Sequence, residues 1–280
     1  METDVPRPFW LQAAADDFWR AAGEVEPFPR TLEAPVLWAL PLFIVKVPRL
    51  TLSDVRAKLA DYGIAFGVDG PNRNLYGCLI AFAGKGVVML DGSEPPDELR
   101  FSLAHEVGHF IIDYMQPRNR ILRRLGPAIV DVLDGLRAPN KEERIDAVLS
   151  DVRIGVHTHL MDRTPSGAIG CGRISGSEFR ADRLAFELLA PEDAVLAEAN
   201  ASGFASTAND DAAAMRAVLV EVFGLPVASA RQYAHFLNTV GERRPSIRSW
   251  LGMDSDADDA GTTSRSNVSN FPAHARKRLT

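Results

Sequence analysis

The feature that most constrains this chain is the stretch 101–112, Phe-Ser-Leu-Ala-His-Glu-Val-Gly-His-Phe-Ile-Ile, which sets two histidines and a carboxylate in an apolar segment. On a helix, residues four apart share one face, so His105 and His109 present their ring nitrogens to one point. Glu106 is rotated off that axis, where it reaches a metal-bound water rather than the metal. Phe101, Ala104, Gly108, Ile111 and Met115 make one apolar stripe, and Leu103, Val107, Phe110 and Tyr114 make another. A helix apolar nearly all round belongs in a core. Burying two imidazoles and a carboxylate there without partners is expensive, and a metal ion with its water removes the difficulty.

A hydrolytic metal site of the H-E-x-x-H kind needs a third ligand and one position open to water. The best candidate is Glu178, at the head of a helical pattern that runs over 178–190 and stops at Pro191. Ala181, Leu184, Ala185 and Leu188 give that helix its apolar face. Asp182, four residues after Glu178, faces the same way and can accept a hydrogen bond from a ligand histidine, fixing its tautomer. A second reading of the same residues is a capping box, Ser175-Gly176-Ser177-Glu178, in which Glu178 only closes the helix start. His157 and His159 lie on one side of an extended segment and are candidates for metal binding or for stabilising an oxyanion. With no third ligand type beside them, surface histidines are the preferred reading. Tyr233 and His235 are the other oxyanion candidates.

The Glu-x-x-x-Asp arrangement resembles the second motif of the gluzincin metallopeptidases. The segments 99–109 (Leu-Arg-Phe-Ser-Leu-Ala-His-Glu-Val-Gly-His) and 178–191 (Glu-Phe-Arg-Ala-Asp-Arg-Leu-Ala-Phe-Glu-Leu-Leu-Ala-Pro) resemble the ImmA/IrrE family of metallo-endopeptidases. The segment 223–231, Phe-Gly-Leu-Pro-Val-Ala-Ser-Ala-Arg, is similar to that family's helical ending, and the resemblance spans residues 50–242. It implies a zincin-like α+β fold, with a small antiparallel sheet packed on the H-E-x-x-H helix and a mainly helical C-terminal part. It also implies a cytoplasmic endopeptidase that cleaves helix-turn-helix repressors in stress responses or mobile-element control. One zinc ion would be held by His105, His109 and Glu178, and Asp182 would orient a ligand histidine. Zinc lowers the pKa of its water to about 7, and Glu106 would carry that water's proton to the leaving amine. The ligand types admit manganese or iron as well.

The local pattern fills in this outline. Residues 1–48 form an N-terminal arm with two short helical patterns or turns and an apolar run, 36–45, expected as an internal strand or a packed arm. Residues 52–62 read as a helix with Ser53 as a possible N-cap and Gly63 as its stop. Strands are expected at 64–68, 76–83 and 87–90, the last two joined by a hairpin at Gly84-Lys85-Gly86. The turn 91–96 offers Asp or Ser as a cap and prolines for the start of the motif helix. After that helix, the arginines of 116–124 read as a solvated helix face, and 129–136 and 142–154 as helical. The interval between His109 and Glu178 is longer than the resemblance leads one to expect, which implies an insertion at about 116–174 in a peptidase domain over 49–195. Helices at 211–223 and 227–240 belong to a C-terminal subdomain, 196–251, followed by a disordered tail, 252–280.

Composition narrows the function classes. With 46% hydrophobic and 24% charged residues, this is the profile of a soluble globular chain. A net charge of −6 speaks against general affinity for nucleic acid or anionic membrane. Cys78 and Cys171 lie outside any metal-ligand spacing and suggest a reducing compartment. The start, Met1-Glu2-Thr3-Asp4, lacks the basic and apolar regions of a signal peptide, so the expected location is the cytoplasm. Two rival classes remain. One is a zincin-like module that binds a partner without proteolysis, as a regulator or antitoxin. The other is a DNA-binding regulator acting through 212–240, whose recognition candidate carries only Arg231 as a cation.

Overall fold

The structure, a computed structural model, describes residues 8–23, 25–64, 70–149, 152, 154–162, 172–201 and 208–242. The chain divides into a unit Pro6–Gly241 and a second unit of Met1–Val5 and Glu242–Thr280; the description concerns the first. Cys171, the tail 252–280 and all but the first residue of the strand expected at 64–68 lie outside the described residues.

The fold is α+β. In chain order come α1 (Phe9–Ala22), α2 (Glu33–Ala39), β1 (Leu42–Val47), α3 (Leu52–Asp61), β2 (Leu75–Phe82), β3 (Lys85–Asp91) and α4 (Pro96–His109). A π-helical segment, Phe110–Met115, joins α4 directly to α5 (Gln116–Leu125). A 3-10 turn, Pro127–Ile129, leads into α6 (Val130–Leu133), followed by α7 (Lys141–Leu149) and β4 (His157–Asp162). The chain then runs through α8 (Gly172–Leu189), α9 (Glu192–Ala201), α10 (Ala208–Glu221) and α11 (Val227–Glu242). No helix among the described residues is long and apolar enough to cross a membrane.

The four strands form one sheet in the order β1-β3-β2-β4. The expected antiparallel sheet is in fact mixed: β2 pairs antiparallel with β3 and with β4, but β1 runs parallel to β3. The cause lies in the apolar run 36–45. Pro41 follows the end of α2, and the segment after it enters the sheet as an edge strand rather than an internal one. α3 then carries the chain from β1 toward β2, and a connection of this length lets two strands lie parallel. The hairpin is where it was expected, but its loop is Ala83-Gly84, both with positive φ, one residue before the glycine signal.

β2 and β3 are apolar on both faces because both are covered. Leu79, Ala81, Val88 and Leu90 belong to the main core with Leu103, Ala104, Val107 and Phe110 of the motif helix and its continuation. Cys78, Ile80, Val87 and Met89 pack on the other side with Val55 and Leu59 of α3. The N-cap of α3 is Thr51 and not Ser53, because the Asp54 carboxylate accepts both the Thr51 N–H (2.8 Å) and its hydroxyl (2.7 Å). α4 begins at Pro96 with Asp97 and Glu98 in its first turn, where acidic residues favour a helix start. Asp91 and Ser93 cap the preceding turn instead of the helix: the Asp91 carboxylate accepts from the Arg49 and Ser93 N–H groups.

α8 packs closely on α4 over Gly108. A Cβ on that residue would lie 2.9 Å from the carbonyl oxygen and 3.0 Å from the Cα of Ala181. The two motif helices therefore meet backbone to backbone, which sets Glu178 and Asp182 opposite His105 and His109. The 116–149 region has a small core of its own, Ile121, Ile129, Val132, Leu133 and Ala147. The arginine face of α5 is not wholly solvated: Arg118 is buried and pairs with Asp134 at 2.7 Å.

Candidate metal centre

His105, Glu106 and His109 are all buried at the C-terminal end of α4. The Nε2 atoms of His105 and His109 lie 3.1 Å apart. Glu178 reaches across from α8, with Oε2 3.3 Å from His105 Nε2 and Oε1 3.5 Å from His109 Nε2. α8 starts at Gly172, so Glu178 stands well inside the helix and not at its capping position. The Ser177 hydroxyl donates to Asp113 at 2.6 Å. The arrangement is that of converging side chains, not of a capping box.

Each histidine of the motif is fixed from behind. His105 Nδ1 is 2.9 Å from Asp182 Oδ1, and His109 Nδ1 is 2.7 Å from Asp113 Oδ2. A carboxylate at Nδ1 holds the proton there and turns the Nε2 lone pair inward. Two such lone pairs facing each other at 3.1 Å repel unless a cation lies between them. Tetrahedral bonds of about 2.0–2.1 Å place ligand atoms about 3.3–3.4 Å apart, and the three separations bracket that value. The residues present therefore fit a metal ion.

A fourth donor comes from β4. His159 Nε2 is 3.0 Å from Glu178 Oε1, and its Nδ1 is 3.1 and 3.0 Å from the two oxygens of Glu106. One ligand atom from each of His105, His109, His159 and Glu178 lies within 4.8 Å of all the others, and the four can hold a metal ion. The reading of His157 and His159 as surface residues is thus corrected: the His157 residue is 5% exposed and the His159 side chain 15%. Their alternation does place both on one side of the strand, the side turned to α4, with His159 opposite Leu79 of β2 and His157 opposite Ala81.

The electrostatics of the cluster call for positive charge. Burial alone would lower the pKa of His105, but hydrogen bonds to Asp182 and Glu178 overcome it and raise the group to about 9. His159 follows the same pattern: burial lowers it, the charge of Glu106 and hydrogen bonds to Glu106 and Glu178 raise it, and it stands at about 10. Burial would push the Glu178 carboxyl up, yet the three histidines hold it far below the usual carboxylate range. Glu106 is likewise held low against its burial, chiefly by His159.

The remaining sequence candidates fall elsewhere. Tyr233 is buried in the core, stacked on Phe186 with ring centroids 4.3 Å apart. His235 and Arg231 are exposed on α11. Two contributors escaped the sequence reading. Asp113 stands four residues beyond His109, a helical spacing that could have revealed it. Gln232 of α11 donates to Asp182 Oδ2 at 3.1 Å and so steadies the carboxylate behind His105; nothing in its local sequence marks it. No family profile, curated protein or solved structure matches this chain.

Proposed function

We propose that this chain is a zinc-dependent endopeptidase whose metal is held by His105, His109 and Glu178, with Glu106 as the general base. The observation that carries this reading is the 3.1 Å approach of two histidine Nε2 atoms whose Nδ1 atoms are each held by a carboxylate. A zinc ion there would supply Lewis acidity and a water of lowered pKa. Glu106, fully buried beside the cluster and ionised by its surroundings, is the group able to take a proton from that water and return it to a leaving amine. Asp182 and Asp113 keep the two motif histidines in the ligating tautomer. The substrate we assign is a protein, of the helix-turn-helix repressor class that the resemblance to the ImmA/IrrE family implies.

The test pairs metal analysis with a cleavage assay on helix-turn-helix regulators encoded beside this chain. Wild-type protein should carry one metal ion per chain and His109→Ala essentially none. Glu106→Gln should keep the metal and lose cleavage. Cleavage at the wild-type rate by Glu106→Gln would remove Glu106 from the reaction, and a metal-free wild type would remove the centre.

A further inference from the structure

His159 meets the rest of the site with both ring nitrogens. Its Nε2 points to the convergence of His105, His109 and Glu178, 3.0 Å from Glu178 Oε1. Its Nδ1 lies 3.0 Å from Glu106 Oε2. The ring is stacked on that of His109, with centroids 3.7 Å apart and planes inclined by 25°. The sheet fixes this placement. Pairing of His159 with Leu79 brings its side chain to the face that α4 covers. On β2, two residues before Leu79, Gly77 makes room for Glu106, since a Cβ there would lie 3.3 Å from Oε1.

The pattern repeats that of the two motif histidines. His105 is backed by Asp182, His109 by Asp113, and His159 by Glu106; in each case Nδ1 faces a carboxylate and Nε2 faces inward. Building on the metal-centre reading, we infer that His159 is a fourth ligand and that the resting site is closed. Three imidazoles and Glu178 would supply four ligand atoms to the ion, which is the makeup of a site without an open position. The same side chain occupies Glu106, whose oxygens accept the Nδ1–H. Hydrolysis then requires His159 to turn away, and that single movement opens a coordination position and releases the base together. His159 in this state is a ligand that keeps the centre latent, not a catalytic residue.

The test is zinc K-edge X-ray absorption together with zinc affinity from chelator competition, on wild type, His159→Ala and His157→Ala. His157 lies on the same strand and outside the cluster, so its variant controls for damage to β4. Wild type should show three imidazoles and no solvent oxygen in the first shell. His159→Ala should show two imidazoles and a solvent oxygen, with affinity at least about tenfold weaker, while His157→Ala keeps three. Two imidazoles and a solvent oxygen in wild type would overturn the closed site and leave the metal centre standing. A wild type that retains no zinc would overturn the centre itself, and the closed site with it. The imidazole count in wild type decides the matter even if a variant fails to fold.

Discussion

Asp113 Oδ2 lies 2.7 Å from His109 Nδ1 and accepts the Ser177 hydroxyl at 2.6 Å with the same oxygen. Its other oxygen is 3.2 Å from Arg180. One carboxylate thus fixes a histidine of the motif helix and ties the helix that brings Glu178. Burial would raise its pKa, but the hydrogen bonds from His109 and Ser177 hold it below the usual range. Asp113→Ala should weaken zinc binding by about 10–100-fold with the fold intact. Chelator competition checks this, and unchanged affinity would show that the pair is only structural.

Gly108→Ala tests the crossing of the two motif helices. Alanine is the better helix former by about 1 kcal/mol, so an exposed glycine would gain stability from the change. Here the new methyl would meet the Ala181 carbonyl oxygen at 2.9 Å, and backbone cannot turn aside as a side chain can. Overpacking of this kind costs about 1–3 kcal/mol. The variant should show a lower denaturation midpoint and weaker zinc binding together, because separating α4 from α8 moves Glu178 from the histidines. A stabilised variant would contradict the close approach.

Protons and metal should compete in this site. In the metal-free protein His105 and His159 are raised from the ordinary histidine value to about 9 and about 10. A raised folded pKa means that the stabilisation from those protonated rings is complete below about pH 6.5 and is lost as pH climbs through 9 and 10. Zinc bound as proposed would take the place of these protons, so its affinity should rise with pH between about 6.5 and 9, by up to tenfold per unit for each proton displaced. The melting-temperature gap between loaded and metal-free protein should widen in the same direction. Calorimetry in two buffers of different ionisation heat counts the protons released on binding; release of none at pH 7 would refute the competition.

Arg118 and Asp134 form an ion pair of 2.7 Å with side chains 9% and 13% exposed. Arg118→Ala should cost about 3–5 kcal/mol, since it leaves a carboxylate buried without its cation. Replacing both partners, as Arg118→Met with Asp134→Leu, should cost much less. Urea denaturation of the two variants separates a lost charge pair from lost packing, and equal losses would mean that packing is the whole effect.

The legible part of this chain is local. His105, His109, Glu178 and Asp182 announce themselves through four-residue spacings on two apolar helices, and the β2–β3 hairpin through its glycines. His159 does not, because its role depends on β4 pairing with β2 in a register that sets His159 opposite Leu79. Strand pairing across nearly eighty residues leaves no trace in either segment. The parallel placement of β1 is hidden for the same reason: an apolar run cut by a proline says nothing of which edge it will join. Gln232 is further still, supplied by a helix whose docking depends on the whole core.

The π-helical segment Phe110–Met115 has a consequence of its own. A π turn holds one residue more than an α turn, and each residue of an α-helix advances the chain by about 100° and 1.5 Å. The wide turn takes up that extra residue by turning less at each step, so deleting one residue from 110–115 would restore an α-helix and leave the rotational phase of α5 nearly unchanged. Arg118 and Ile121 would then still face Asp134 and Ile129, and His105 and His109 would stay where they are. The segment is a joint that absorbs one residue of chain length while keeping the rotational phase between the His105–His109 turn and everything built beyond it.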